Sequence, residues 1–288
     1  MKPAALLLAA TLTASAEPPV IHDAAILAAF EKKVGAFAEL DEFPTAQKLK
    51  KSLEEAPPSA AEGLEIKSSP AASAVDAVFL IGSVYKCGRC EKWHPGGVAT
   101  AWSIGTDGLM ITNQHVFAHA SGKVMAVCDR HGNAYPITEI LAADAASDVA
   151  LFRVKADSLP TLTLSEPAEI GSDVQVISHP HRNFFFHTFG KVARYTSEPS
   201  RDDSPETLWM NITADFAKGS SGGPVIGKNG VVGMVASTRS IYYESEDGSP
   251  KGPLQMVIKN CVPASAIKKL LGSPVLQDGT PQPALNQR

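Results

Sequence analysis

The feature that most restricts the fold of this 288-residue chain is a series of short β-rich segments that begins near residue 75. Residues such as Gly, Asn, Asp and Pro separate each segment from the next, a pattern that predicts strands joined by turns. The predicted strands are 75–84, 97–104, 109–113, 123–128, 134–142, 149–154, 161–164, 173–178, 187–195, 208–212, 224–226, 231–237 and 254–259. Because no long helical pattern interrupts them, the sequence indicates an all-β sandwich or a pair of barrels.

Helical patterns flank the β-rich region. Apolar residues recur at helical spacing over roughly 22–40, and a shorter helix is predicted over about 44–55. Pro- and Ser-rich stretches at 57–63 and 68–70 are typical of linkers. A closing helix is predicted over 263–272, with proline in its first turn and glycine after its end. We interpret the helical segment 17–69 as a spacer or docking strap, with a pro-segment or inhibitory arm as the alternative.

The first 16 residues have the pattern of a signal peptide. Lys2 precedes an apolar run at 4–10, and the segment ends in Ala14-Ser15-Ala16. Such segments are cleaved after the small residues, here after Ala16, and this one is too short to span a bilayer. We therefore expect the mature protein to be exported, to the periplasm or the medium, without a stable membrane span.

The charge of the chain argues against nucleic acid as a partner. Its 26 Lys and Arg residues against 30 Asp and Glu residues give a net charge of −4, and they form no basic stripe. The hydrophobic content of 44% is that of an ordinary globular protein and argues against extensive disorder.

Four cysteines, Cys87, Cys90, Cys128 and Cys261, allow three interpretations. In an exported chain the first expectation is structural disulfides, and sequence alone leaves their connectivity open. As a second interpretation, the C-x-x-C pair of Cys87 and Cys90 binds a metal together with His94. The third is a redox pair, although the helical pattern that normally accompanies such a motif is missing. We predict disulfides, and neither a metal nor a cofactor.

Ser221 lies in a glycine-rich turn between two apolar segments, 208–212 and 231–235. The turn is Lys218-Gly219-Ser220-Ser221-Gly222-Gly223-Pro224. Glycines let the backbone approach other groups closely, so N–H groups in such a turn can converge on a developing oxyanion. A serine becomes a nucleophile only beside a base, and a histidine oriented by a carboxylate serves that purpose. The alternative is an ordinary connecting loop that is rich in Gly and Ser.

The chain supplies the base and the carboxylate next to predicted strands. His115 follows the 109–113 strand, and Asp148 directly precedes the 149–154 strand. The blocks T-N-x-H-V, S-D-V-A-L and G-x-S-G-G-P, in this order, resemble the three signature blocks of the chymotrypsin-like (trypsin-fold) serine proteases. The order His, Asp, Ser distinguishes this family from the subtilisins and the α/β-hydrolases.

The resemblance extends over about residues 72–272 and implies two six-stranded antiparallel β-barrels with the active site in the cleft between them. We place the first barrel at 70–160 and the second, with the closing helix, at 161–272. In style the motifs resemble the bacterial Deg/HtrA-type peptidases. We expect no PDZ domain, because the remaining residues, 273–288, suffice only for a flexible tail.

The resemblance also implies a role for individual residues. His115, Asp148 and Ser221 correspond to the catalytic triad, and the N–H groups of Gly219 and Ser221 correspond to the oxyanion hole. Digestive members carry an aspartate before the nucleophile, which pairs with a newly cleaved N-terminus. Ser220 occupies that position here, so we expect the oxyanion hole to form without proteolytic activation.

Two features concern the substrate. Asp215, six residues before Ser221, corresponds to the acidic floor of the trypsin S1 pocket, which selects Lys or Arg. The alternative is a strand-end residue paired with Lys218 or with solvent. The segment Ala236-Ser237-Thr238 aligns with the strand that binds the substrate backbone, and such main-chain pairing tolerates many sequences.

The loop His179-Pro180-His181 and the run Phe184-Phe185-Phe186-His187 that follows it form an unusual aromatic segment. We expect a packed or partner-facing corner there rather than a cluster of ligands. Taken together, the sequence predicts an exported serine endopeptidase that acts on a protein or peptide. The alternative is a protease-fold binding or scaffold module with a blocked or inactive cleft.

Overall fold

The computed structural model describes residues 20–56, 61, 64–198, 206–244 and 252–272, and the backbone of residues 275–276. The predicted signal peptide, most of the predicted linker 57–63 and most of the predicted tail lie outside the described residues. Within these described ranges, no helix combines the length and the apolar character that a membrane crossing requires.

Two helices come first and pack on the outside of the first barrel. Helix α1 is Asp23–Leu40 and helix α2 is Ala46–Glu55, close to the predicted limits. The Thr45 hydroxyl accepts a hydrogen bond from the Lys48 N–H (3.1 Å), which caps the start of α2. In α1, Phe30 and Val34 are fully buried, and burial of each such side chain stabilises the folded state by roughly 1.5–3 kcal/mol. A two-residue strand, β1 (Glu65–Ile66), follows.

The first barrel is closed and entirely antiparallel, with the strand order β2-β3-β4-β7-β6-β5. A short helix, α3 (Gln114–Ala118), connects β4 to β5. The six strands of this barrel are β2 (Val78–Lys86), β3 (Trp93–Ser103), β4 (Leu109–Thr112), β5 (Val124–Cys128), β6 (Ala134–Asp144) and β7 (Val149–Val154).

The second barrel is also closed and antiparallel, with the order β10-β13-β12-β11-β8-β9. Its strands are β8 (Asp173–Ser178), β9 (Phe186–Glu198), β10 (Thr207–Ile212), β11 (Pro224–Gly227), β12 (Gly230–Tyr242) and β13 (Leu254–Pro263). The prediction of two six-stranded antiparallel barrels is confirmed.

The chain closes with helix α4 (Ala264–Leu271), which follows β13 directly and buries Ile267, Leu270 and Leu271. This confirms the predicted C-terminal helix. Beyond it, the two-residue strand β14 (Val275–Leu276) pairs in parallel with β1, within the segment that the sequence predicts as a flexible tail.

The predicted strand 161–164 is not a regular strand. Its residues form isolated bridges, Thr161 with Pro70 and Leu164 with Val231. The segment connects the barrels and bonds to both, because the Leu162 N–H donates to the Ser103 carbonyl (2.9 Å) and Leu164 bridges to the second barrel. Contacts with two different sheets satisfy its backbone without a continuous ladder.

Candidate active site

The imidazole of His115 lies at the start of α3, where β4 ends. Its Nδ1 is 2.8 Å from Oδ2 and 3.1 Å from Oδ1 of Asp148. The His115 backbone N–H also donates to Asp148 Oδ1 (3.0 Å), so one carboxylate holds both the ring and its backbone. Because an ionised carboxylate only accepts hydrogen bonds, Nδ1 carries the proton and Nε2 is left free to act as a base.

Asp148 has an unusual backbone conformation. Its φ of +55° lies in the left-handed region, which residues other than glycine enter rarely but which Asp tolerates better than most. The Asp148 carbonyl accepts a hydrogen bond from Asn113 Nδ2 (3.0 Å), and Asn113 is the N-cap residue that directly precedes α3. The carboxylate and the backbone carbonyl of Asp148 therefore both bind residues at the start of α3, and together they fix the orientation of His115.

The serine turn packs too tightly for side chains at two of its glycines. A Cβ atom on Gly219 (φ +100°) would lie 2.4 Å from the His179 carbonyl oxygen. A Cβ on Gly222 (φ +85°) would lie 2.0 Å from the Thr100 carbonyl oxygen and 2.3 Å from Thr112 Oγ1. Glycine is required at both positions by positive φ and by close approach.

Thr100 of β3 holds the serine turn against the first barrel. Its N–H donates to the Ser221 carbonyl (2.8 Å), and its hydroxyl donates to the Gly219 carbonyl (3.0 Å). The Thr100 carbonyl in turn accepts from the hydroxyl of Thr112 (2.8 Å), the last residue of β4. The structure therefore brings the Ser221 turn onto the strands that lead into His115. Sequence reasoning missed Thr100, because nothing distinguishes it from other strand residues.

Two backbone N–H groups in this turn are available to a ligand. Among the hydrogen bonds of the described residues, none uses the N–H of Gly219 or of Ser221. The neighbouring Lys218 carbonyl accepts from the His181 N–H (2.7 Å). Since the carbonyl and N–H of a trans peptide point in opposite directions, this bond directs the Gly219 N–H away from the loop that contains His181. Such free donors suit a developing oxyanion.

The loop 179–185 that supplies the His181 N–H is packed at both ends, at His179 and at Phe184 and Phe185, whereas residues 181–183 are exposed. His179 is fully buried, its Nδ1 accepts from the Phe185 N–H (3.0 Å), and its ring meets the rings of Phe184 and Phe185 edge-on. Burial lowers the pKa of His179 to about 4, against a smaller opposing effect of the Phe79 backbone. The Phe184 N–H donates to Asp23 Oδ1 (2.8 Å), which ties helix α1 to this loop.

The hydroxyl of Ser221 donates to the Ala236 carbonyl (3.3 Å). Ala236 lies in β12 at a bulge, where the pairing with β13 shifts between Val235 and Ser237. Ser237 and Thr238 are exposed and lie opposite residues of β13. The segment that the sequence aligns with substrate binding thus adjoins the candidate nucleophile.

Ser220, which stands where the digestive proteases carry an aspartate, is fully buried and uncharged. Its Oγ accepts hydrogen bonds from the Ser178 hydroxyl (2.9 Å) and from the Ala217 N–H (3.4 Å). These partners lie within the second barrel and its loops. The turn is therefore held without the ion pair that an aspartate at this position would need.

Asp215 does not line the floor of a pocket. Its side chain is 86% exposed, and its Oδ1 lies 2.5 Å from Lys259 Nζ. Because this carboxylate is exposed to solvent and paired with a lysine, the structure favours the alternative interpretation of Asp215 as a strand-end residue. Its partner is Lys259 and not Lys218.

The disulfide prediction is wrong for this structure, in which all four cysteines are free. Cys128 and Cys261 are buried in the cores of different barrels, which prevents them from pairing. Burial raises the pKa of the Cys128 thiol to about 12 and also raises that of Cys261, so both are inert. Cys87 and Cys90 are exposed, with their sulfurs 3.5 Å apart and unbonded.

The structure combines two six-stranded barrels, a His–Asp pair at the edge of the first and the Gly219-Ser220-Ser221-Gly222-Gly223 turn of the second, which packs against that edge. These features are those of the trypsin-fold serine proteases.

Comparison with known proteins agrees with this class. Residues 99–234 match the family model of the trypsin-like peptidase domain. A serine protease of Mycobacterium tuberculosis is 33% identical over 154 residues, which are 51% of this chain and 37% of that protein. A probable periplasmic serine endoprotease, DegP-like, of Ectopseudomonas mendocina is 31% identical over 153 residues, 49% of this chain and 31% of that protein. The chain spans about a third of the length of these curated relatives.

Proposed function

We propose that this chain is an exported serine endopeptidase that hydrolyses peptide bonds in proteins or peptides through an acyl-enzyme. The observation that carries the proposal is the hydrogen-bonded pair of His115 and Asp148, together with a serine turn in which two N–H groups make no hydrogen bond to any described residue. Thr100 supports it further, because this residue links the turn to the barrel that carries the pair.

In the proposed reaction, the Ser221 hydroxyl attacks the carbonyl carbon of the scissile bond while His115 Nε2 takes its proton. Asp148 stabilises the imidazolium that forms. The N–H groups of Gly219 and Ser221 bind the oxyanion of the tetrahedral intermediate. The imidazolium then gives its proton to the leaving amine, and water releases the acyl group by the same steps.

The resting hydrogen bond of Ser221 fits this scheme. The hydroxyl donates to the Ala236 carbonyl at 3.3 Å, which is a long bond for a hydroxyl donor. A rotation about the Cα–Cβ bond redirects the hydroxyl without moving the backbone. Hydrogen bonds between catalytic groups commonly tighten only when substrate is bound.

For the substrate we propose backbone pairing along Ala236, Ser237 and Thr238, which gives affinity without strict sequence preference. The exposed, paired state of Asp215 argues against selection of Lys or Arg by that carboxylate. The predicted signal peptide and the relatives named periplasmic endoproteases support export.

A fluorophosphonate probe tests the proposal, because it reacts only with an activated serine. We expect the full chain to be labelled at Ser221, and Ser221→Ala to abolish labelling and to lower turnover by on the order of 10⁶-fold. Ser121→Ala changes an exposed serine in the loop before β5 and serves as the matched control, with unchanged labelling. A folded wild type that the probe does not label would instead support the alternative, a protease-fold binding or scaffold module.

A further inference from the structure

The hairpin between β2 and β3 gathers three metal-ligating side chains at its end. Tyr85 pairs with His94, and Lys86 pairs with Trp93, so residues 87–92 form the connecting loop. Cys87 opens this loop and Cys90 lies inside it, while His94 is the second residue of β3. The paired strands of the hairpin thus hold Cys87, Cys90 and His94 close together.

The ligand atoms of these three residues lie close enough together to share one tetrahedral ion. Cys90 Sγ lies 3.5 Å from Cys87 Sγ and 3.1 Å from His94 Nε2, and all three atoms lie within 4.8 Å of one another. Zn–S bonds of about 2.3 Å and a Zn–N bond of about 2.0–2.1 Å at tetrahedral angles give S–S and S–N separations of about 3.8 and 3.6 Å. The two separations from Cys90 are therefore within about half an ångström of the ideal values, and Cys87 Sγ and His94 Nε2, which lie within 4.8 Å of each other, would approach by up to about 1.2 Å.

The other thiols of the chain are remote from this loop. The remaining cysteines, Cys128 and Cys261, lie in the barrel cores and do not compete for an ion at this exposed loop.

We propose that Cys87, Cys90 and His94 bind one Zn²⁺ ion, with water in the fourth position. Two thiolates and an imidazole match the ligand preference of zinc, whereas oxygen ligands would indicate Mg²⁺ or Ca²⁺. The two negative thiolates neutralise the charge of the ion, so binding at the protein surface leaves no net charge at the site.

The position of this site indicates what zinc binding does. Trp93, next to His94, packs so closely on helix α1 that a Cβ atom on Gly35 would lie 2.6 Å from its ring. Trp93 Nε1 donates to Glu39 (2.8 Å), and Lys86 Nζ lies 3.2 Å from the same carboxylate. An ion that fixes the end of the hairpin therefore also fixes the surface on which the C-terminal half of α1 docks.

The test uses the full chain, reduced and stripped of metal with a chelator. Competition against a chromogenic zinc chelator should give one Zn²⁺ per chain, and Co²⁺ should give a thiolate charge-transfer band. Saturating Zn²⁺ should raise the melting temperature by about 5 °C. The double variant Cys87→Ser, Cys90→Ser and the single variant His94→Gln should lose zinc binding and the thermal shift.

Matched controls separate this site from other thiols and imidazoles. Cys128→Ala and His131→Gln, which change a buried cysteine and an exposed histidine elsewhere in the first barrel, should bind Zn²⁺ as the wild type does. Ser221→Ala should bind Zn²⁺ normally, because the site is independent of catalysis. Zinc uptake that the double variant retains would overturn the proposal. A reduced wild type that binds no Zn²⁺, and instead re-forms a Cys87–Cys90 disulfide in air, would overturn it in favour of a redox pair.

Discussion

Acidification should destabilise this protein through His179. The ring is fully buried, and its Nδ1 accepts from the Phe185 N–H. Protonation would place a charge in the core and turn the Nδ1 acceptor into a donor facing another donor. The native state therefore holds His179 neutral, and burial lowers its pKa to about 4 from an ordinary value of 6.5.

The size and sign of the effect follow from proton linkage. Between pH 6.5 and about 4 the unfolded chain binds a proton at this histidine and the native chain does not. The unfolding free energy consequently falls as the pH falls, by about 1.4 kcal/mol per pH unit once His179 is protonated in the unfolded state. Over the full interval the loss amounts to about 3 kcal/mol, a large share of the stability of a typical domain.

Urea unfolding at a series of pH values measures this loss, and His179→Asn isolates it. Asn places an oxygen where Nδ1 accepts from Phe185, but it does not titrate. We therefore expect the variant to take up about one proton fewer than the wild type on unfolding between pH 4 and 6.5, which makes its unfolding free energy less dependent on pH. His131→Asn, at an exposed histidine, should keep the pH dependence of the wild type. Equal slopes for wild type and His179→Asn would refute the reasoning, whatever their absolute stabilities.

Three further predictions concern the candidate active site. Thr100→Val leaves the Gly219 carbonyl without its side-chain donor, and should lower the unfolding free energy by about 1–3 kcal/mol and reduce kcat. Unchanged kcat and stability would show that this bond does not position the turn. Asp23→Ala removes the acceptor for the Phe184 N–H and should lower kcat by about tenfold with little change in KM, if α1 positions the oxyanion-hole loop. Asp23→Asn, which retains an acceptor, should restore most of the rate. Asp215→Asn should leave P1 preference in a peptide library unchanged, whereas loss of cleavage after Lys or Arg would restore the acidic-pocket interpretation.

The secondary structure was largely predictable because local patterns encode it. The predicted helix over 22–40 corresponds to Asp23–Leu40, and the strand over 149–154 matches β7. Strand ends were less predictable, since β9 and β12 extend beyond their apolar runs. Pairing between neighbouring strands continues there through exposed residues, which carry no alternating pattern.

The candidate site was predictable where a motif carries the chemistry and unpredictable where packing does. His115, Asp148 and Ser221 stand in short blocks whose order could be compared with a known family. Thr100 stands in no such block, because its role arises from hydrogen bonds to a turn more than a hundred residues away. The exposure of Asp215 was likewise undecided, since its partner Lys259 belongs to a distant strand.

By itself, the sequence determined the class of fold and the residue types available for chemistry, because strand periodicity, turn glycines and nucleophile motifs are properties of short segments. Only the tertiary structure decided which cysteines can meet, placing Cys128 and Cys261 in separate cores and Cys87, Cys90 and His94 around one point. It also decided that helix α1 supports the loop beside the serine turn, through Asp23 and Phe184. Such contacts depend on barrel closure, which brings distant segments together and which no local pattern records.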